Sequence, residues 1–452
     1  MNRLVPLIAL LASGTAFAAD KPNFKEHILP IFKEHCNGCH NPDKHEADLD
    51  LTTYAGMVKG SSGGEVVKAG VPDTSWLFES ITHAADVEPM PPKKPKIPDA
   101  QIALVRQWIQ EGLVENSGGP SMLREIKFDV TTTTSVRPKG DPAMPKSLPV
   151  IPPAVTPHPA AVTALAASPW APLIAISGQN QILLKHAETH ELLGILPFPE
   201  GVVHVLRFSR NGSVLLAGGG IGGSSGKVVL FDVESGRRLA EIGDEQDSVL
   251  AADLSADHRF VALGGPAKIV KVFDTSNGQL LHRIEKHTDW ITALTFAPDG
   301  DQFASADRNG GICVWEAEKG AIVYALDEHK VRVSDLAWRA DGKMLASGAD
   351  DGKLVLWDMK DGWPAKVVDA HKAEAETRYT RRTGVIAVDW AKSGNLVTAG
   401  RDWGVRLWSV LGEPVTDLGR CAALPTRVST GQTDGGVAVG DLAGNVLFLP
   451  AK

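Results

Sequence analysis

Two hydrophobic periods divide the chain. Up to about residue 118 the apolar positions recur at helical spacing: Phe24, Ile28 and Phe32 fall at i, i+4 and i+8, and Ile102, Val105, Trp108 and Ile109 form a single stripe. Pro30 has to start or kink the first of these helices, which runs into Cys36, and Asp99 stands where it would cap the last, over 100–112. From residue 157 onward the unit is an apolar strand followed by a small polar turn. Its anchors are Ser168, Ser209, Ser255, Ala297, Arg339 and Ala391, with a weaker copy near Thr430, spaced by 41, 46, 42, 42, 52 and about 40 residues. A glycine insert at 218–226 explains the 46, and a polar insert at 372–382 explains the 52. A period of ~40–45 residues with several short strands per unit is that of a propeller blade. Seven units fit.

Between the two patterns, 119–156 is rich in proline and threonine and reads as a semi-rigid linker. Within it Ile126-Lys127-Phe128-Asp129-Val130 alternates like a strand. The last blade has only Pro450, Ala451 and Lys452 after its run at 445–449, so a segment just before blade 1, at 147–154, is expected to supply its outer strand and remove an open edge.

The first 19 residues change the expected location. Arg3, a short apolar run at 4–11 and the Ala16-Phe17-Ala18 site form an export signal, cleaved after residue 18 or 19, which places the mature protein in the periplasm. No later segment has the ~18 apolar residues of a membrane span. The net charge of −8, from 46 Lys+Arg against 54 Asp+Glu, argues against a nucleic-acid partner, which would need a basic face. Lys93, Lys94 and Lys96 form a small basic group in an otherwise acidic region, and a solvated loop is their default reading.

Four cysteines are too few to staple 452 residues, and two of them stand in Cys36-Asn37-Gly38-Cys39-His40, the c-type haem attachment pattern. Two residues between the thiols let both sulfurs meet the two vinyl groups on one haem edge, and the adjoining imidazole then falls under the ring as proximal iron ligand. A disulfide redox pair would want a βαβ context, and a zinc site a second pair of ligands; neither is evident. The distal ligand is a choice among Met90, His83, Met57, His35 and His45, or an open position. Met90 is favoured because Glu88-Pro89-Met90-Pro91-Pro92 holds it on a stiff, polar-flanked loop. Cys313 reads as a small buried strand residue, and a bond to distant Cys421 is not expected.

The blades carry a second register. Phe231-Asp232, Phe273-Asp274, Trp315-Glu316, Trp357-Asp358 and Trp408-Ser409 recur, and in three units a hydroxyl (Ser305, Ser347, Thr398) stands ten residues before the Trp. Asn309, Asp351 and Asp402 stand six before it, and His287, His329 and His371 precede those blades. This pattern resembles the WD40 family, whose His–Ser/Thr–Asp–Trp tetrads tie the inner strands together, so these residues are read as structural and not as catalytic His–Asp pairs. The order CNGCH, Leu49-Asp50-Leu51-Thr52-Thr53-Tyr54, Val71-Pro72-Asp73-Thr74-Ser75, Met90-Pro91-Pro92 and Trp108-Ile109 through Gly112 is similar to the planctomycete-type cytochrome c family.

Together the resemblances imply a small all-α cytochrome c domain (20–118) followed by an all-β, seven-bladed WD40-type propeller (157–452). One covalent haem c is expected on Cys36 and Cys39, with His40 proximal and Met90 distal. The expected function is single-electron transfer with redox partner proteins, the propeller serving as docking scaffold, and more in the manner of a carrier than an enzyme. The alternatives are a redox enzyme whose propeller holds a second cofactor, as in nitrite-reductase-like or quinohaemoprotein-like proteins, and a haem-based sensor.

Overall fold

In a computed structural model of the protein, residues 22–44, 46–70, 72–84, 87–117, 119, 122, 140–150, 159–373, 382–431 and 435–450 are described. The export signal, His45, Val71, the 126–130 segment and most of the 372–382 insert lie outside them. The chain divides into two compact units, Met1–Arg124 and Glu125–Lys452.

The first unit is helical. Asn23 Oδ1 accepts the Glu26 N–H at 2.9 Å and starts a π-helical turn, Phe24–Ile28, that leads into helix α1, Leu29–His35, with Pro30 in its first turn where no N–H is needed. Helices α2 (Tyr54–Lys59) and α3 (Trp76–Thr82) follow, and α4 (Asp99–Gln110) closes the unit. Asp99 is the first helical residue of α4 and not its cap. Pro98 holds the cap position without a side-chain bond, and the Asp99 carboxylate instead reaches Lys96 Nζ at 3.3 Å. The expected stripe of Ile102, Val105, Trp108 and Ile109 is buried. Phe24 joins the two ends of the unit, its ring 5.9 Å from Trp108, 6.0 Å from Phe32 and 5.5 Å from Tyr54. Two bonds lock this seam: Trp108 Nε1–H donates to the Val114 carbonyl (3.0 Å) and the Tyr54 hydroxyl to that of Leu113 (2.7 Å). Full burial of rings this size is worth about 2–3 kcal/mol each, which is how so short a run of helices holds together.

The second unit is a seven-bladed β-propeller of antiparallel meanders. Blades 1 to 6 have four strands each, from Leu165–Ala167 through Pro414–Arg420, and blade 7 has three among the described residues: Pro425–Thr430, Gly436–Asp441 and Val446–Pro450. Each blade is laid down in chain order from an innermost to an outermost strand. The glycine insert at 218–226 lengthens the middle strands of blade 2 to Val214–Ile221 and Ser225–Asp232. Gly219 there leaves no room for a side chain, since a Cβ would stand 2.0 Å from the Val202 carbonyl oxygen.

Polar side chains stitch neighbouring blades. On the innermost strands Asp253, Asp335 and Asp389 each accept a backbone N–H from the next blade, Phe296 (2.8 Å), Val388 (3.1 Å) and Thr430 (2.8 Å) respectively. The ring shuts the same way: Thr426 donates to the Val162 carbonyl (2.5 Å), and Ser429 Oγ accepts the Ala167 N–H (2.9 Å). Residues 147–150 do not supply the expected outer strand of blade 7. Leu148 packs against Gly194, and the Pro149 carbonyl accepts the Ile195 N–H at 2.8 Å, so this part lies along the outer strand of blade 1. Residues 151–154 lie outside the described residues. The physical reason is that Leu148 finds an apolar seat at Gly194, Leu196 and Gly236.

Candidate haem site

The attachment motif continues the turn of α1. Cys36 and Asn37 N–H both donate to the Phe32 carbonyl (2.8 Å each), and Cys39 and His40 N–H to that of Cys36 (3.1 Å each). Positions i, i+3 and i+4 of a helical turn share a face, so Cys36, Cys39 and His40 are presented together. They line one cavity of about 430 Å³, within the ~300–1,000 Å³ range of cofactor sites. Its apolar wall includes Phe32, Leu49, Leu51, Val66, Leu77 and Ile81.

Imidazole orientation is settled by one bond. His40 Nδ1 lies 3.1 Å from the Glu46 carbonyl oxygen, so Nδ1 carries the proton as donor and Nε2 keeps its lone pair for the cavity. Burial pushes the Cys36 thiol up to about 11, which keeps its sulfur neutral. A neutral sulfur on an apolar wall suits a thioether better than a thiolate metal ligand. Among the described residues no group of three or more His, Cys, Asp or Glu side chains is arranged to hold a metal ion. The residues present therefore fit a large apolar ring with one nitrogen ligand, two sulfurs at its edge and Met90 in the same wall.

The candidates for a second axial ligand separate clearly. Met90 lines the cavity, held by its N–H to the Ser80 carbonyl (3.0 Å) and by His83 Nε2–H to its own carbonyl (3.2 Å). His83 thus serves the Met90 backbone and does not line the cavity. Met57 is fully buried in the helical core, away from the lining. His35 touches the cavity, but its Nε2 is 2.9 Å from Gln101 Oε1. His45 lies outside the described residues.

Helix α1 leads into the site and lines it with Phe32, Lys33, Glu34 and His35. Helix α4 contributes no lining residue; the wall is α3, with Trp76, Leu77, Ser80 and Ile81. The missed signal was Leu77, Phe78 and Ile81 at one-face spacing, in a seven-residue helix too short to stand out. Lys94 and Lys33 stand at the cavity, while Lys96 pairs with Asp99.

The propeller histidines are arranged otherwise. In blade 4, His287 Nδ1–H donates to Asp307 Oδ2 (2.9 Å), Nε2 meets Ser305 Oγ (2.7 Å), and Trp315 Nε1–H donates to the same hydroxyl (2.8 Å). The acid is Asp307, eight residues before the Trp, and not Asn309 at six; Asn309 instead donates its N–H to Asp307 and its amide to Thr288. Blade 6 repeats the set with His371, Asp402 (2.8 Å), Thr398 (2.8 Å) and Trp408 (2.9 Å). Blade 5 keeps His329, Ser347 (2.8 Å) and Trp357 (2.9 Å), with Asp351 at a looser 3.9 Å. Burial pushes up the Asp402 carboxyl, but the bonds and charges of His371 and Arg406 outweigh it and hold it well below the usual carboxylate range. Cys313 and Cys421 are buried free thiols.

Comparison with known proteins agrees with both halves. Residues 36–94 match the model of the Planctomycete cytochrome C family, a span that begins at Cys36 and encloses Met90. Residues 278–316 match the WD domain, G-beta repeat, and residues 322–393 the WD40 domain of anaphase-promoting complex subunit 4. No curated protein matches the chain. Among the described residues no helix is long and apolar enough to cross a membrane. The chain joins a planctomycete-type cytochrome c domain, a haem-binding type, to a seven-bladed WD40-type propeller, a protein-interaction type.

Proposed function

We propose that the protein is an exported monohaem electron carrier whose propeller docks its partners. Bound haem c supplies one-electron Fe(III)/Fe(II) exchange. Cys36 and Cys39 would hold the ring through their sulfurs, both of which line the cavity. His40 offers Nε2, its ring oriented by the Nδ1 bond to the Glu46 carbonyl. Met90 offers its thioether, its backbone pinned at Ser80 and His83. Leu49, Leu51, Val66, Leu77 and Ile81 exclude water, which favours the less charged reduced state and raises the potential. The observation that carries this reading is His40 with one nitrogen spent on Glu46 and the other left to a cavity shared with Cys36, Cys39 and Met90.

The propeller axis favours a scaffold over a second cofactor site. Arg427 reaches across from blade 7 to the His204 carbonyl of blade 2 (3.3 Å), and Arg207 faces Asp335 at 3.8 Å. The spaces between these innermost strands measure about 30 and 150 Å³, below the ~300 Å³ at which cofactor sites begin.

The test is an absorption spectrum of protein matured with haem attached, oxidised and reduced, with carbon monoxide added to the reduced form. A methionine–iron charge-transfer band, reversible one-electron titration and slow or absent carbon monoxide binding support the carrier. Ready carbon monoxide binding would replace it with a sensor, and a second chromophore would replace it with an enzyme.

A further inference from the structure

Charged side chains from blades 2, 5 and 7 converge on the propeller axis, and they do not balance. Arg207 stands on the innermost strand of blade 2 and Arg427 on that of blade 7. Blade 5 adds Asp335, on its innermost strand, and Arg332, just before it. The one carboxylate of this group is already spent on the chain. Asp335 Oδ1 accepts the Leu336 N–H (3.0 Å) and Oδ2 the Val388 N–H (3.1 Å), which leaves Arg207 at 3.8 Å. Arg427 donates to two neutral carbonyls, those of Thr426 (2.9 Å) and His204 (3.3 Å). The guanidinium groups of Arg207 and Arg332 have no hydrogen-bond acceptor among the described residues. Burial, together with the charges of Arg207 and Arg332, outweighs Asp335 and holds Arg427 below its ordinary value. The His204 imidazole is held down as well, by burial and then by Arg427.

Arg207, Arg427, Asp335 and His204 line one space of about 30 Å³. At ~10–15 Å³ for each water position, that is room for two or three waters or for one tetrahedral oxyanion. Thr292 and Ser334 also line it, but their hydroxyls donate to the Val333 and Val385 carbonyls, so recognition there falls to the guanidinium groups. A second space of about 150 Å³ also touches Arg207. It is less suited to an anion, because Arg210 is spent on the Phe296 carbonyl (2.9 Å) and Asp253 and Asp389 line the wall.

We propose that Arg207 and Arg427 bind a small oxyanion, of phosphate or sulfate size, on the propeller axis. Two guanidinium forks from separate blades offer the donors, and a doubly charged ion would offset the excess of positive charge. Arg207 keeps 37% of its side chain exposed, which leaves the ion a way in. The bound ion would link blade 7 to blade 2, which share no sheet. The inference is independent of the haem reading, since it uses propeller residues alone.

Equilibrium dialysis of the full-length holoprotein against radiolabelled inorganic phosphate, at neutral pH and fixed ionic strength, tests it. Wild type should hold one phosphate per chain, released by sulfate but not by chloride. Arg207→Met, which breaks no hydrogen bond, should weaken binding at least tenfold, and Arg427→Met should do the same. Arg210→Met, at the second space, should leave it within twofold. Phosphate should also raise the urea midpoint of wild type and leave that of Arg207→Met unmoved. Should Arg427→Met fail to fold, Arg207→Met decides alone. The assignment is overturned by a wild type that binds no phosphate at millimolar concentration. Binding that Arg207→Met leaves within threefold overturns it too, as does release by chloride as ready as by sulfate.

Discussion

The two units use the same side chain in opposite ways. In the propeller, His287 and His371 are buried with both ring nitrogens bonded, one to a carboxylate and the other to a hydroxyl that also serves a tryptophan. In the helical unit, His40 is half-buried, its Nδ1 bonded to the Glu46 carbonyl and its Nε2 without a protein partner among the described residues, facing a cavity. A histidine with nothing left to bond is part of the architecture, and one with a single nitrogen committed is poised for a ligand. The contrast extends to the carboxylates. Those of the propeller are consumed by backbone donors across blade seams, while the cavity wall of the helical unit is mostly apolar, with thiols, an imidazole and a thioether.

The largest effect expected from breaking this contrast is at the thiols. C36A/C39A should abolish covalent haem, read as loss of haem staining on a denaturing gel, while the propeller still unfolds at its usual denaturant midpoint. Met90→Ala comes next: haem should stay attached, the charge-transfer band should vanish, and reduced protein should bind carbon monoxide readily. On the propeller side, His371→Ala should leave the haem spectrum untouched but cost about 3 kcal/mol in urea unfolding, because it empties the space of a buried imidazole and removes its bonds to Asp402 and Thr398, which keep only Arg406, the Gly404 N–H and Trp408.

Acid should act in the same place and more weakly. Burial holds the His371 imidazole below its ordinary value, against the pull of Asp402, so the unfolded chain takes up its proton first as pH falls. Stability is therefore full above about pH 6.5 and declines below it. The low-lying carboxyl of Asp402 adds a further loss below about pH 4, in the same direction. Urea midpoints between pH 7.5 and 5 should fall in wild type and fall less in His371→Gln. The smallest effect is expected at His83, whose φ of 58° places it in the left-handed region. His83→Ala should weaken the charge-transfer band and shift the reduction potential by loosening Met90, and His83→Asn, which tolerates that backbone and keeps a donor, should restore most of both.

Much of this was legible beforehand, for reasons that differ between the halves. The attachment motif is local: five consecutive residues carry the chemistry, and continuation of α1 suffices to put Cys36, Cys39 and His40 on one face. The propeller is legible by repetition, which makes blade number visible, along with the His, hydroxyl and Trp of the tetrads in blades 4 to 6. What escaped was set by tertiary packing. Helix α3 is one short element among turns, and its role as cavity wall depends on where Ser80 and His83 meet Met90. Asp307 was overlooked for Asn309 because two blades place their acid six residues before the Trp, whereas in blade 4 Asp307, the last residue of its strand and eight before the Trp, meets His287. The destination of 147–150 was decided by a seat for Leu148 beside Gly194, which no periodicity announces.

The most direct measurement is mass spectrometry of the denatured holoprotein and of its tryptic peptide 34–44, which contains both thiols and His40. The account predicts the mass of one haem added to the polypeptide and retained on that peptide. An unmodified 34–44 peptide, from protein expressed with haem-maturation machinery, would contradict it.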